Sequence, residues 1–173
     1  MKIGIISDTH DQLDNIDRAL EAFRIAKVER ILHLGDWCSP FSLRRVASAN
    51  IPTDGIFGNN DGDIFKLNRA CPEHVKLHDR FALLSIDGLS ICLFHGDPEE
   101  VVEALAHSGR YDVVLYGHNH VRQVRSIEQT LIINPGSCVG SQTPVSPVWT
   151  PPSCCVFDTI TKEVELIELE PTA

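Results

Sequence analysis

Five short polar motifs stand in order along the chain: Asp8-Thr9-His10, Gly35-Asp36, Gly58-Asn59-Asn60-Asp61, His95-Gly96 and Gly117-His118-Asn119-His120. Four of them directly follow a run that reads as a β-strand. Ser7, Leu34, Phe57 and Tyr116 are the last strand-like residues before their motifs. Open α/β sheets gather chemistry beyond the carboxyl ends of their strands. The pattern therefore asks for a fold that presents each motif at one sheet edge.

The segments between the motifs support that demand. Residues 2–7 are apolar and β-branched, as a strand buried on both faces should be. Asp14 is the expected N-cap of a helix, with Asp17 three positions on and Ile16, Leu20 and Phe23 at helical spacing to about Lys27. Ile31–Leu34 reads as a second strand, 42–49 as a short helix behind Pro40 and Ser42, and Thr53–Phe57 as a third strand. This alternation predicts βαβ units and a parallel sheet. Phe81–Ile86 and Leu89–Phe94 then flank Asp87-Gly88, a hairpin signal. Asp97-Pro98-Glu99-Glu100 predicts a helix start with Asp97 as cap, and Gly109 its end. Asp112–Tyr116 is a further strand. Hairpins are expected over Val121–Ser126 with Thr130–Ile133, and over Cys154–Asp158 with Glu163–Leu169. The Pro-, Gly- and Ser-rich stretch 134–153, with Val145, Val148 and Trp149 embedded, reads as a lid or a docking surface. The whole predicts a single α/β domain over residues 1–173 with parallel and antiparallel sheet portions.

Composition narrows the function. Hydrophobic residues make up 43% of the chain, enough for a proper core, and the net charge is −9. An acidic chain of this kind is not expected to bind a nucleic-acid polymer by a broad basic face. No apolar run approaches the roughly 20 residues of a membrane span. No N-terminal signal segment is visible, so a cytoplasmic location is expected. The six cysteines show no C-x-x-C pairing and read as reduced, mostly buried thiols. Cys38 stands apart, because it follows Asp36 by two residues and can border the site.

The motifs supply two Asp, one Asn and four His side chains: Asp8, Asp36, Asn59, His10, His95, His118 and His120. That is enough for two adjacent divalent ions, and two ions with a bridging hydroxide make a phosphoester hydrolase. Oxygen and imidazole ligands without thiolate suit Mn, Fe, Zn, Co or Ni better than Ca or Mg. A single shared carboxylate is the natural bridge. Extended backbone should turn Asp8 and His10 to one side, and likewise His118 and His120. The glycines before Asp36, Asn59 and His118 are expected to permit tight turns.

In this order the motifs resemble those of the calcineurin-like metallophosphoesterases. The short length and Asn134-Pro135-Gly136-Ser137 are similar to the small phosphodiesterase branch found in bacteria and archaea. The resemblance implies a four-layer α/β/β/α sandwich, two mixed β-sheets flanked by helices. It implies that Asp8, His10, Asp36 and His120 bind one ion and that Asp36, Asn59, His95 and His118 bind the other. Asp36 would bridge, with manganese the first candidate metal. Asp36, Asn60, Asp61 and His118 form the implied catalytic group, Asp61 acting through the residues it orients.

Two positions depart from the family pattern. Asn60 stands where many relatives carry a phosphate-contacting His, and an amide donates a hydrogen bond but supplies no general acid. That favours good leaving groups, or a metal-bound water as the proton source. Asp97 stands where the branch usually carries a second His, and either caps the following helix or marks a modified pocket. The expected partner is a small phosphoester, diester before monoester, with a homo-oligomer left open. The rival expectation is a weakly active or inactive scaffold on the same fold. His33, His74, His78 and His107 read as structural or solvent-facing. Trp37 and Phe41 read as packing first, with stacking on a substrate ring as the alternative.

Overall fold

The computed structural model describes residues 1–140 and 149–169. Its elements run β1 (Lys2–Ile6), α1 (Leu13–Ala26), β2 (Arg30–His33), α2 (Pro40–Ala47), β3 (Thr53–Gly55), α3 (Ile64–Ala70), β4 (Val75–Leu77), β5 (Phe81–Ile86), β6 (Leu89–Phe94), α4 (Glu100–His107), β7 (Val113–Leu115), β8 (Gln123–Ile127), β9 (Thr130–Asn134), β10 (Ser153–Asp158) and β11 (Val164–Glu168).

The strands form two mixed sheets. One has the order β11-β10-β1-β2-β3-β4 and the other β5-β6-β7-β9-β8. β1 through β4 pair in parallel, as do β6, β7 and β9. The remaining strands pair antiparallel at the flanks. Ile3, Ile5, Leu32, Leu34 and Phe157 of the first sheet meet Ile91, Leu93, Leu115 and Ile133 of the second in one buried cluster. On its other face the first sheet packs against α1, α2 and α3 through Ile16, Phe23, Leu43 and Leu67. The second sheet packs against α4 through Val102 and Ala106. The layers are therefore α/β/β/α, as the sequence leads one to expect. Strands covered on both faces need apolar side chains at every position, which is why β1 and β7 lack the alternation of a half-exposed strand.

Several expected boundaries move. α1 starts at Leu13 with Gln12 at its N-cap, so Asp14 lies inside the first turn, where a carboxylate still suits the helix dipole. α2 starts two residues early because Ser39, not Ser42, accepts the Phe41 N–H and Pro40 takes the first helical position. Asp97 caps nothing. α4 begins at Glu100 after Glu99, and the Asp97 carboxylate pairs with Arg80 at 3.1 Å. The Asp87-Gly88 hairpin falls where expected. α3 and β4 have no counterpart in the sequence reading. Residues 141–148, with Val145 and Val148 of the expected lid or docking loop, lie outside the described residues. Trp149 at the loop's end is 61% exposed. Among the described residues no helix is long and apolar enough to cross a membrane.

Candidate metal centre

The parallel strands place their following loops at one edge, and backbone hydrogen bonds stitch those loops together. Asp8 N donates to Gly35 O at 3.0 Å and His10 N to Asp36 O at 3.2 Å, joining the loops after β1 and β2. Gly117 N donates to His95 O at 2.8 Å, joining the loops after β6 and β7. The two sheets are tied across the same edge. His118 N donates to Asp8 Oδ2 at 3.1 Å, and His95 Nδ1 donates to Leu34 O at 2.8 Å.

All seven expected ligand side chains come together there. Asp8 Oδ1 lies 3.3 Å from His120 Nε2 and 3.8 Å from His10 Nε2. Asp36 turns Oδ2 toward His10 Nε2 and Oδ1 toward His95 Nε2, each at 3.5 Å. Asn59 Oδ1 lies 2.9 Å from both His95 Nε2 and His118 Nδ1. Asp8, His10 and His120 form one group able to hold a cation, and Asp8, Asp36 and His95 form another. Asp8 Oδ1 and His10 Nε2 are buried with no hydrogen-bond partner. A buried, bare carboxylate oxygen is costly unless something positive meets it. The donor set and these two orphaned atoms fit divalent cations.

The electrostatics agree. Burial raises the Asp8 pKa, but the His10 and His120 imidazoles beside the carboxyl more than offset it and hold it below its ordinary range. Burial acts likewise on Asp36, outweighed by His95 and Asn60. Both therefore offer anionic oxygens at neutral pH. The Asp8 contact raises the His10 pKa against burial, and Asp36 does the same for His95.

Backbone conformation differs from the expectation. Asp8 and His10 have φ of 51° and 40°, and His118 and His120 have 67° and 61°. Left-handed turns, not extended chain, aim these pairs. Such strain in non-glycine residues collects at functional sites. Gly35 does need its φ of 103°. Gly58 and Gly117 are small for another reason. A Cβ at Gly58 would fall 2.2 Å from Asp36 Oδ1, and one at Gly117 2.0 Å from Ser7 Oγ.

The remaining expected residues brace these side chains. Asp61 accepts the backbone N–H groups of Asp36 at 2.9 Å, Cys38 at 2.8 Å and Gly58 at 2.8 Å, locking the loops after β2 and β3 together. Asn60 donates its amide to Asp36 Oδ2 at 2.7 Å and its backbone N–H to Oδ1 at 2.8 Å. Cys38 does border the site, its Sγ 3.2 Å from His10 Nδ1. Burial, with the carboxylates of Asp36 and Asp61 behind it, pushes this thiol up to about 12.

Sequence reasoning missed the supports. Ser7 Oγ donates to Asp8 Oδ2, and Ser137 Oγ donates to Asp8 O. Asn134 Nδ2 donates to Gly117 O and Asn119 Oδ1. The Asn-Pro-Gly-Ser run was the available signal for the last two. His33 is fully buried and stacks on Trp37 with centroids 3.4 Å apart. Its Nδ1 accepts the Gly35 N–H, so Nε2 carries the proton toward Thr9 Oγ1, and Thr9 donates to Asp36 O. Trp37 is wholly buried and offers no face to a substrate, whereas Phe41 is 66% exposed.

Residues 1–162 match the calcineurin-like phosphoesterase superfamily domain. The chain is 39% identical over 172 residues to a phosphodiesterase of Methanocaldococcus jannaschii, covering 98% of this chain and 100% of that one. It is 33% identical over 166 residues to a probable metallophosphoesterase of Methanothermobacter thermautotrophicus, covering 91% and 85%. A solved structure of an archaeal phosphodiesterase superimposes with a TM-score of 0.87 at 38% identity, covering 97% and 99%.

Proposed function

This chain belongs to the calcineurin-like phosphoesterase superfamily and is a metal-dependent phosphoester hydrolase, and on that premise we propose that it cleaves phosphodiesters at a two-ion centre. Asp8, His10, Asp36 and His120 would hold one ion, and Asp36, Asn59, His95 and His118 the other. The observation that carries this reading is the Asp36 carboxylate, which faces His10 with one oxygen and His95 with the other. Such a carboxylate can serve both halves of a pair. When bound, two divalent ions polarise phosphoryl oxygens and acidify water enough to give a nucleophile near neutral pH.

The chain's own groups supply placement. Asp61 holds the Asp36 and Asn59 turns in register, and Ser7 with His118 N–H fixes Asp8. Asn60 directs Nδ2 into the centre and can donate to a phosphoryl oxygen, but it holds no transferable proton. Substrates with stable leaving groups are therefore favoured, aryl before alkyl. Manganese is the proposed native metal, since mixed carboxylate, amide and imidazole ligands suit it. The bulk negative charge favours a small substrate over a polymer.

A hydrolysis panel tests the proposal. Metal-stripped protein is resupplied with Mn, Ni, Co, Zn or Mg and offered aryl phosphodiesters, phosphomonoesters and cyclic nucleotides. Aryl phosphodiester turnover should return with a transition metal. Asp36→Asn should lose both bound metal and at least about 100-fold in kcat/KM, as misplaced catalytic groups do. Turnover with no metal dependence, or a fully active and fully loaded Asp36→Asn, would overturn it. No turnover under any metal would favour the scaffold reading.

A further inference from the structure

We infer that Cys38 is a positioning residue for His10: its Sγ accepts the hydrogen bond of the His10 Nδ1–H and thereby selects the tautomer whose Nε2 is free to take a cation. This rests on the ligand assignment proposed above. A neutral imidazole carries one N–H, and the nitrogen without it is the one that can bind a metal. His10 Nε2 is the buried atom without a partner, and it faces Asp8 Oδ1 and Asp36 Oδ2. If Nε2 takes a cation, the proton must sit on Nδ1. The side chain that meets Nδ1 is Cys38, at 3.2 Å.

The thiol is held where it is needed. Cys38 adopts φ of 65°, and its backbone N–H is anchored on Asp61 Oδ1 at 2.8 Å. The same carboxylate holds Asp36 N and Gly58 N. On its other side Ser39 Oγ donates to Asp11 Oδ1 at 2.6 Å, one residue beyond His10. Cys38 is thus pinned through its own N–H and through Ser39 against the ring it supports.

The two halves of the centre differ in this respect. His95 Nδ1 donates to a backbone carbonyl, Leu34 O, the usual support for a ligating histidine. His10 has a thiol in that role. Sulfur is a weak acceptor, so its support should lie at the low end of the 10–100-fold commonly lost when such a partner is removed. The effect should fall on one ion and spare the other.

Calorimetric titration of metal-stripped protein with Mn, paired with absorption spectra of the Co-loaded form, tests this. Wild type should bind two ions. Cys38→Ala should weaken one site by about 10-fold and leave the other unchanged, while Cys38→Ser, which keeps an acceptor, should retain most of the affinity. Unchanged binding at both sites in Cys38→Ala would overturn the inference. His10→Ala is the control: if it too leaves both sites intact, the ligand assignment itself fails. A reading that needs no variant is nitrogen-15 NMR of the imidazoles in Zn-loaded wild type. It should find His10 protonated at Nδ1 and metallated at Nε2. Metal at Nδ1, or a thiolate-to-cobalt charge-transfer band, would overturn the assignment of Cys38 as an acceptor.

Discussion

His33 shows how a residue that touches no substrate can still shape the centre. Its ring passes a chain of hydrogen bonds from Gly35 through Thr9 to the Asp36 carbonyl, linking the loops that carry Asp8 and Asp36. That chain works only with a neutral ring, and burial lowers the His33 pKa from 6.5 to about 3. The unfolded chain therefore takes up a proton at His33 near pH 6.5, where the folded chain does not. Stability from this group is complete above that pH and is lost as pH falls toward 3. Urea unfolding of metal-free wild type should drop by about 2 kcal/mol more between about pH 7 and pH 5 than that of His33→Asn. Asn can accept from Gly35 and donate to Thr9 without titrating. Equal pH dependence in the two proteins would contradict this account. The residues that gather at the centre were legible in the sequence because each motif is local and ordered. Their left-handed φ values were not, since only the crowding of neighbouring loops, as where Gly58 meets Asp36, demands them.

At the scale of elements, the long and periodic segments were legible and the short ones were not. α1 and the β5–β6 hairpin carry enough apolar repeat or turn chemistry to declare themselves. α3 buries only Leu67, and β4 is three residues with Lys76 at its centre, so neither has a period to read. Both exist because neighbours hold them: α3 packs beside α2, and β4 pairs with β3. Asp97 followed by Pro and Glu had the local marks of a helix start, yet its carboxylate finds Arg80 instead. Both partners of that pair are over 40% exposed, so it should contribute little. Asp97→Ala should change unfolding free energy by less than about 0.5 kcal/mol, whereas loss of a true N-cap costs about 1 kcal/mol. Chemical denaturation of the two proteins distinguishes these values.

For the whole molecule, the arrangement of the sheets is what makes the centre. Each sheet presents the carboxyl ends of its parallel strands at a shared edge, and neither alone carries all the side chains that gather there. Asp8, His10, Asp36 and Asn59 come from the first sheet, His95, His118 and His120 from the second. Cations that bind only this closed arrangement must stabilise it, so melting temperature should rise with added Mn and keep rising with its concentration. The order of motifs made this convergence legible, although no local feature of the sequence reports which sheet a strand joins. The central claim is that loops from both sheets enclose two cations, and metal content measures it most directly. Equilibrium dialysis of stripped protein against Mn, followed by elemental analysis, should find two ions per chain and fewer in Asp36→Asn. Saturation at one ion or none in the wild type would contradict the account.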